Sequence, residues 1–451
     1  MMTTQKSTFA TLLQSNTFRM LLIGVLTLLL LIPLFFVKEL VSERKYRQRE
    51  VIREIDSKWG GFVFFYGPVL KVPYKEYHSA KRTSFSRKYA YFFPEVLKNT
   101  SEVKTEVKKR NNYESVVFTS TMAFTGKYVT PDFSPKGILE DDIEWEKATI
   151  IIRTTNLSSI KNGVFIHLAG KDYPFEPVYE QKVEQDYIYD EKDGYQANEM
   201  ASLETGFINL KEVLSDSSFS LTIEYDGSKR IAIVPIGKTT ESTISSNWAN
   251  PSFTGDFLPY DKQITPEGFT ASWRVLHLNR PFSQQSFEGL PNIGDYTFDV
   301  NFIIPVDEYQ QNERAVKYGF LVIGLTFLIF FLIQSISKIK IHIFQYTMIG
   351  LALVLFYTLL ISITEHSSFS LAYFISSVMT VGLISLYSVA ILKNKKFPTF
   401  ICISLAALYG FIYVIIQMEN YALLVGSIGL FVILATVMYA SRKIDWNQQN
   451  D

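Results

Sequence analysis

Six stretches of the chain are apolar for long enough to span a membrane, and between the first and second lies a long region whose hydrophobic period shortens to two. The first, Met20 to Val37 within a predicted segment 19–37, is preceded by Lys6 and Arg19. It is followed directly by Lys-Glu-Leu-Val-Ser-Glu. A cleavable signal needs a small-x-small site after a shorter apolar core, so this stretch reads as an uncleaved anchor. The other five, 315–336, 343–363, 369–392, 398–418 and 421–440, predict a five-helix bundle over 315–440.

Residues 38–60 are dense in charge, with Glu43/Arg47 and Glu54/Lys58 spaced i,i+4 and an apolar stripe of Val51, Ile52, Ile55 and Trp59. This predicts a helix continuing out of the membrane with a solvated, paired face. From Gly61 the pattern is that of strands: Tyr296, Phe298, Val300, Phe302 and Ile304 alternate with other residues. Further strands are predicted at 61–66, 69–74, 115–128, 147–156, 163–168 and 269–278. Asp226-Gly227, between 221–225 and 228–234, predicts a type I′ hairpin. Asp186 to Glu199 is polar and acidic and reads as a surface loop. The fold class expected is therefore a membrane α-helical bundle of six spans, one N-terminal and five C-terminal. A large antiparallel all-β, sandwich-like periplasmic domain, 61–314, is inserted between spans one and two.

The sidedness comes from charge. Lys338 and Lys340, then Lys393, Lys395 and Lys396, then Arg442 and Lys443 fall on alternate turns, while 364–368 and 419–420 carry no Lys or Arg. The basic turns are cytoplasmic by the positive-inside rule, which puts 1–18 and 441–451 inside and 38–314 outside.

Globally, 44 basic and 44 acidic residues cancel, so no field favours nucleic acid. The single cysteine, Cys402, excludes a disulfide framework. Nucleotide-binding, esterase-elbow and zinc-protease motifs do not occur, and the five histidines are dispersed, so no catalytic, cofactor or metal residue is assigned. Asp141/Asp142 is a carboxylate pair without a known separation, and Trp145, Trp248 and Trp273 suit either sugar stacking or a core. The spans carry uncharged polar residues such as Gln345 and no Asp, Glu, Arg or His at mid-depth, which argues against ion-coupled transport. Ala422, Gly426 and Gly429 lie at i, i+4, i+7, a spacing that admits a close neighbouring helix.

Several long stretches resemble one family. "YGFIYVIIQMENYALLVGSIGLFVILATVMYASRKIDW" (409–446) and "LFYTLLISITEHSSFSLAYF" (355–374) are similar to the CreD family of inner-membrane, cell-envelope-integrity proteins. So are "GPVLKVPY" (67–74), "PIGKTTESTISSNWANPSFTGDFLP" (235–259) and "GFTASWRVLHLNR" (268–280). The motif residues are Gly67, Pro68, Pro73, Trp248, Pro251, Phe253, Gly255, Pro259, Trp273 and Arg280. Asn420 departs from the pattern, in which an Asp more often follows the Glu at the position of Glu419. The resemblance implies a Gram-negative inner-membrane protein with a periplasmic domain, linked to envelope integrity and in some bacteria to a two-component response affecting β-lactam tolerance. It brings no catalytic residue.

Three functions follow as expectations. The first is a non-enzymatic envelope protein whose outer domain binds a protein, peptidoglycan or lipid, with membrane lipids around its spans. The second is a lipid or small-molecule transporter, which requires a polar-lined cavity in the bundle. The third is a membrane-anchored hydrolase, whose best candidate acid is Glu365. The outer turns, with Glu365 and His366 on one and Gln417, Glu419 and Asn420 on the other, form an acidic collar expected to join bundle and domain, with Arg314 or Lys317 as partners for Glu365.

Overall fold

The computed structural model of the chain describes residues 16–78, 82–110, 113–155, 157–179, 187–189, 197–213, 217–304, 308–337, 339, 341–392, 396–418 and 421–442. Two compact units emerge: residues 1–49 with 306–451, and residues 50–305.

The first helix, α1, Asn16–Lys58, contains both the predicted anchor and the charged segment after it; through Arg49 it belongs to the helical unit and from Glu50 to the second unit. At about 1.5 Å per residue the helix is about 65 Å long, roughly twice a hydrocarbon core. After it come α2 (Glu308–Lys317), α3 (Gly319–Ser337), α4 (Ile343–Thr364), α5 (Phe369–Leu392), α6 (Lys396–Gln417) and α7 (Ala422–Ser441). Among the described residues six helices, all but α2, are long and apolar enough to cross a membrane. The predicted second span began at 315, inside α2. The helix is interrupted at Tyr318, so the amphipathic α2, with its polar Glu308-Tyr-Gln-Gln-Asn-Glu start, is set off from apolar α3.

The core of the helical unit joins Leu30 and Leu34 of α1 to Phe327, Leu353, Tyr357 and Ile401. On α7, Gly429 is packed closely, whereas a Cβ on Gly426 would meet only Ile415, at 3.8 Å. A Cβ on Gly429 would come within 2.0 Å of the Phe411 ring of α6, an overlap only glycine avoids.

Among the described residues the second unit contains a mixed sheet of 16 strands and a separate two-stranded one. The path of the larger sheet runs from β14 (Pro251–Gly255) through β18 (Phe298–Phe302), β12 (Arg230–Ile233), β1 (Val63–Tyr77), β5 (Thr149–Thr154) and β10 (Ala201–Thr205) to β7 (Lys171–Val178). It continues through β6 (Phe165–Leu168), β11 (Ser218–Ser228), β4 (Tyr113–Lys127), β3 (Val96–Arg110), β13 (Thr239–Ser246) and β16 (Gly268–Leu276) to β15 (Asp261–Thr265). Off the path, β2 (Phe85–Phe92) pairs with β1 and with β17 (Gln285–Ser286).

The sheet is not purely antiparallel, because β1 runs parallel to β12 and β3 parallel to β13. Rings from both halves of the path meet in the core: Phe65 stacks on Phe124 at 4.2 Å, Phe118 meets Phe302 at 5.1 Å, and Trp273 stacks on Phe298 at 5.2 Å.

Three sequence expectations change. Asp226-Gly227 is not a hairpin turn: β11 continues through it, with Asp226 opposite Thr119 and Gly227 opposite Phe118 on β4. Its glycine answers crowding, since a Cβ there would lie 2.6 Å from the Phe118 ring and 2.8 Å from Val63. The chain turns instead at Lys229, φ 62°, and then enters β12 beside β1. The two strands predicted at 61–66 and 69–74 are one strand, β1, whose register against β5 slips between Tyr66 and Val69 around Gly67-Pro68. In the predicted loop 186–199, β8 (Tyr187–Tyr189) pairs with β9 (Ala197–Glu199), and residues 190–196 lie outside the described residues.

Candidate functional site

Within the helical unit, α1 and α2 supply a belt of charge. Lys45 Nζ lies 3.0 Å and Lys317 Nζ 3.1 Å from the two carboxylate oxygens of Glu313. These cations, Lys45 foremost, hold the Glu313 carboxyl below the usual carboxylate range. Glu365, on the turn after α4, meets Arg44 of α1, Nε to Oε1 at 3.2 Å. Arg314 donates to the carbonyl of Ile416 at 3.4 Å. Gln417 accepts from Gln311 at 3.3 Å, and it donates to Ser370 at 3.5 Å. His366 is exposed, with its backbone N–H bonded to the Ile363 carbonyl. Glu419 and Asn420 lie outside the described residues.

Of the predicted collar, the structure therefore engages Glu365, Arg314, Lys317 and Gln417, each within the helical unit. Sequence reasoning missed Arg44, Lys45, Glu313 and Gln311. The i,i+4 spacing of Glu313 and Lys317 was a usable signal.

Ser370 also begins a groove between α5 and α6 of about 600 Å³, a size typical of small-molecule sites. Its walls are largely apolar, with Ser370, Tyr373, Ser377, Tyr409 and Tyr413 among the lining residues. Tyr413 donates to Ser370 at 2.9 Å and Tyr373 to the Tyr409 carbonyl at 2.8 Å. The Tyr409 hydroxyl is buried without a hydrogen-bond partner among the described residues.

In the β unit a cleft of about 660 Å³ lies beside the middle of β3, where β13 and β15 end and β16 begins, lined by Glu102, Lys104, Asn247, Gln263, Thr265 and Glu267. Asn247 shapes it by accepting from the Thr105 N–H at 2.8 Å and donating to the Thr105 carbonyl at 3.2 Å. Beside the cleft, β15 closes the strand path, with Asp261, Lys262, Gln263, Ile264 and Thr265 all exposed. Leu258 and Tyr260, just before it, are exposed too. The buried carboxylate Asp299 lies elsewhere, bonded to Arg230 at 2.7 Å; burial raises its pKa against the pull of that arginine, and the pair ties β12 to β18. Among the described residues no group of three or more His, Cys, Asp or Glu is arranged to hold a metal ion.

Both units, in chain order, coincide with one known protein type: a family model for the inner membrane protein CreD matches residues 15–447. The chain belongs to the CreD family. The inner membrane protein CreD of Escherichia coli (strain K12) is 28% identical to it over 435 residues, which cover 93% of this chain and 91% of that protein. CreD membership and six apolar helices make this a multi-pass inner-membrane protein.

The CreD-like motif residues of the β unit lie in its core and turns and are not among the residues that line the cleft. Trp273 is 1% exposed and donates its indole N–H to the Phe257 carbonyl at 3.1 Å, while Phe253 meets its ring edge-on at 5.7 Å. Arg280, 6% exposed, donates to the carbonyls of Ile236 and Gly237 at 3.1 and 3.3 Å and lies over the Phe282 ring at 4.2 Å. Burial pulls its pKa down to about 10, so the guanidinium stays charged at neutral pH.

The Gly67-Pro68 peptide is cis; the Pro68 carbonyl accepts from the Tyr128 hydroxyl at 3.1 Å, and that of Pro73 from the Glu144 N–H at 2.9 Å. Trp248 donates to the Asn250 carbonyl at 3.0 Å, Pro251 opens β14, and Gly255 closes it at φ 87°. Pro259 falls between exposed Leu258 and Tyr260. Trp145 and Trp273 are core residues, which answers the choice between stacking platform and core for both.

Proposed function

We propose that this CreD-family protein supports cell envelope integrity as a non-enzymatic binding module. In this reading the β unit is a sandwich-like domain on the periplasmic face and both termini are cytoplasmic. The bundle holds the domain at the membrane. The sidedness is supported by the alternation of basic turns at 338–340, 393–396 and 442–443 with turns at 364–368 and 419–420 that lack Lys and Arg.

The binding role is carried by one observation, the exposed edge strand Asp261–Thr265 at the end of the strand path. An edge strand offers a row of backbone donors and acceptors to a second chain, and the adjoining cleft offers room for alternate side chains. The occupant that fits is an extended segment of another envelope protein. The test is photocrosslinking in growing cells from an analogue at Gln263, with Lys98, solvent-facing on interior strand β3, as the control. A discrete polypeptide adduct from position 263 alone supports the reading. No adduct, or adducts with glycan or lipid only, would reject it.

A second reading, lipid or small-molecule handling by the bundle, is favoured by the groove between α5 and α6. A Cβ on Gly410, in its wall, would meet nothing within 4 Å. Gly410→Trp should therefore fill the groove without unfolding the bundle, and loss of the envelope phenotype in a folded G410W protein would favour this reading over the first.

A further inference from the structure

At the other end of α4 from Glu365, a second pocket of about 380 Å³ lies between α1, α3 and the start of α4. One part of its lining is apolar, with Leu22, Ile23, Ile341 and Ile343, and the other part carries Arg19, Gln334, His342 and Tyr346. Two of the polar groups are built in: Gln334 is 5% and Tyr346 2% exposed. Tyr346 donates its hydroxyl to Gln334 Oε1 at 3.1 Å, so the side-chain amide N–H groups are what Gln334 offers a ligand. His342 Nδ1 accepts from the Phe344 N–H at 3.2 Å, which puts the proton of a neutral ring on Nε2 and makes that nitrogen a donor as well. Guanidinium, amide and imidazole donors thus line one pocket, the complement of an anionic oxygen cluster.

Charge and depth narrow the class of anion. Residues 1–19 contain Lys6 and Arg19 and no Asp or Glu; the turn 337–342 contains Lys338, Lys340 and His342 and again no acid. Arg19 directly precedes the apolar run of α1, Gln334 is three residues from the end of α3, and Ile343 is the first residue of α4. All three therefore sit at headgroup level of helices that cross a membrane, while Leu22 and Ile23 lie one turn deeper. Basic pockets between membrane helices at this depth suit lipid phosphates. We infer that this pocket holds an anionic glycerophospholipid, its phosphate on Arg19, Gln334 and His342 and the first carbons of its acyl chains on Leu22 and Ile23. The inference needs the helices to be in a membrane but is independent of which face the β unit occupies.

The test uses the full chain in detergent micelles, with native mass spectrometry of adducts formed with palmitoyl-oleoyl phosphatidylglycerol, the matching phosphatidylcholine, and inorganic phosphate. The wild type should retain a discrete phosphatidylglycerol adduct over phosphatidylcholine, and phosphate should not displace it. Arg19→Gln should weaken that adduct about fivefold. Leu22→Trp, which keeps every charge and fills the pocket, should weaken it as much. Arg442→Gln, a basic residue outside the pocket lining, should change it less than twofold. Unchanged binding by folded R19Q and L22W, equal loss in R442Q, equal retention of phosphatidylcholine, or displacement by phosphate would each overturn the assignment.

Discussion

Arg44 and Glu365 meet at 3.2 Å, joining the first helix to the turn between α4 and α5. Both side chains are partly exposed, and pairs of that kind contribute modestly, about 0.2–1 kcal/mol. Glu365→Arg should lower the thermal stability of the detergent-solubilised protein slightly, and the swap Arg44→Glu/Glu365→Arg should recover part of the loss. A double-mutant cycle reads the coupling directly; zero coupling would mean the pair is incidental.

Gly227 distinguishes a strand interior from a turn. If β11 runs through it against Phe118 and Val63, Gly227→Ala should cost about 1–3 kcal/mol by overpacking. Equilibrium unfolding measures this, and an Ala variant as stable as the wild type would revive the hairpin.

Trp273 joins β16 to Phe298 of β18 and to the Phe257 carbonyl. Trp273→Ala should destabilise the β unit by about 3–5 kcal/mol, whereas Trp273→Phe, which loses mainly the N–H···O bond and some volume, should cost less. Thermal scans monitored by tryptophan fluorescence would rank the two; equal stability of both with the wild type would remove Trp273 from the core.

The acid limb of stability should report Glu144. Arg87 at 2.5 Å and Lys147 at 2.8 Å hold its carboxyl below the usual range, with Arg87 the larger influence. A carboxylate depressed in the folded state contributes stability that is present above its unfolded pKa of about 4.3 and is lost as pH falls through the lower folded value. Glu144→Gln should therefore flatten the fall in melting temperature below about pH 4.5 and lower stability at neutral pH. An acid limb identical to the wild type would show that Glu144 is not linked.

The apolar helices were legible because each needs only about twenty apolar residues in a row; the five C-terminal ones lie within a few residues of the expected bounds, whereas α1 runs on to Lys58 with no helix end near 37. Strand β3 was not legible, although it alternates. Its inward positions include polar Asn99 and Ser101, which are satisfied by each other and by Ser242 at 3.0 and 2.8 Å, so the hydrophobic pattern is hidden. The parallel pairs β1–β12 and β3–β13 depend on long-range contacts that leave no local trace. At the collar, Glu365 stood out because it interrupts hydrocarbon. Its partner Arg44 was hidden among the many charges of residues 38–58, and proximity across more than 300 residues is a property of the fold.

The proposed binding role requires that strand Asp261–Thr265 be an exposed edge on the periplasmic face. A chain carrying Cys402→Ser and Gln263→Cys, in intact spheroplasts treated with a membrane-impermeant maleimide, measures both properties at once. Position 263 should label rapidly without lysis, at a rate near that of the detergent-solubilised protein. Labelling only after the membrane is broken would put the β unit on the cytoplasmic side, and no labelling in either state would mean the strand is covered.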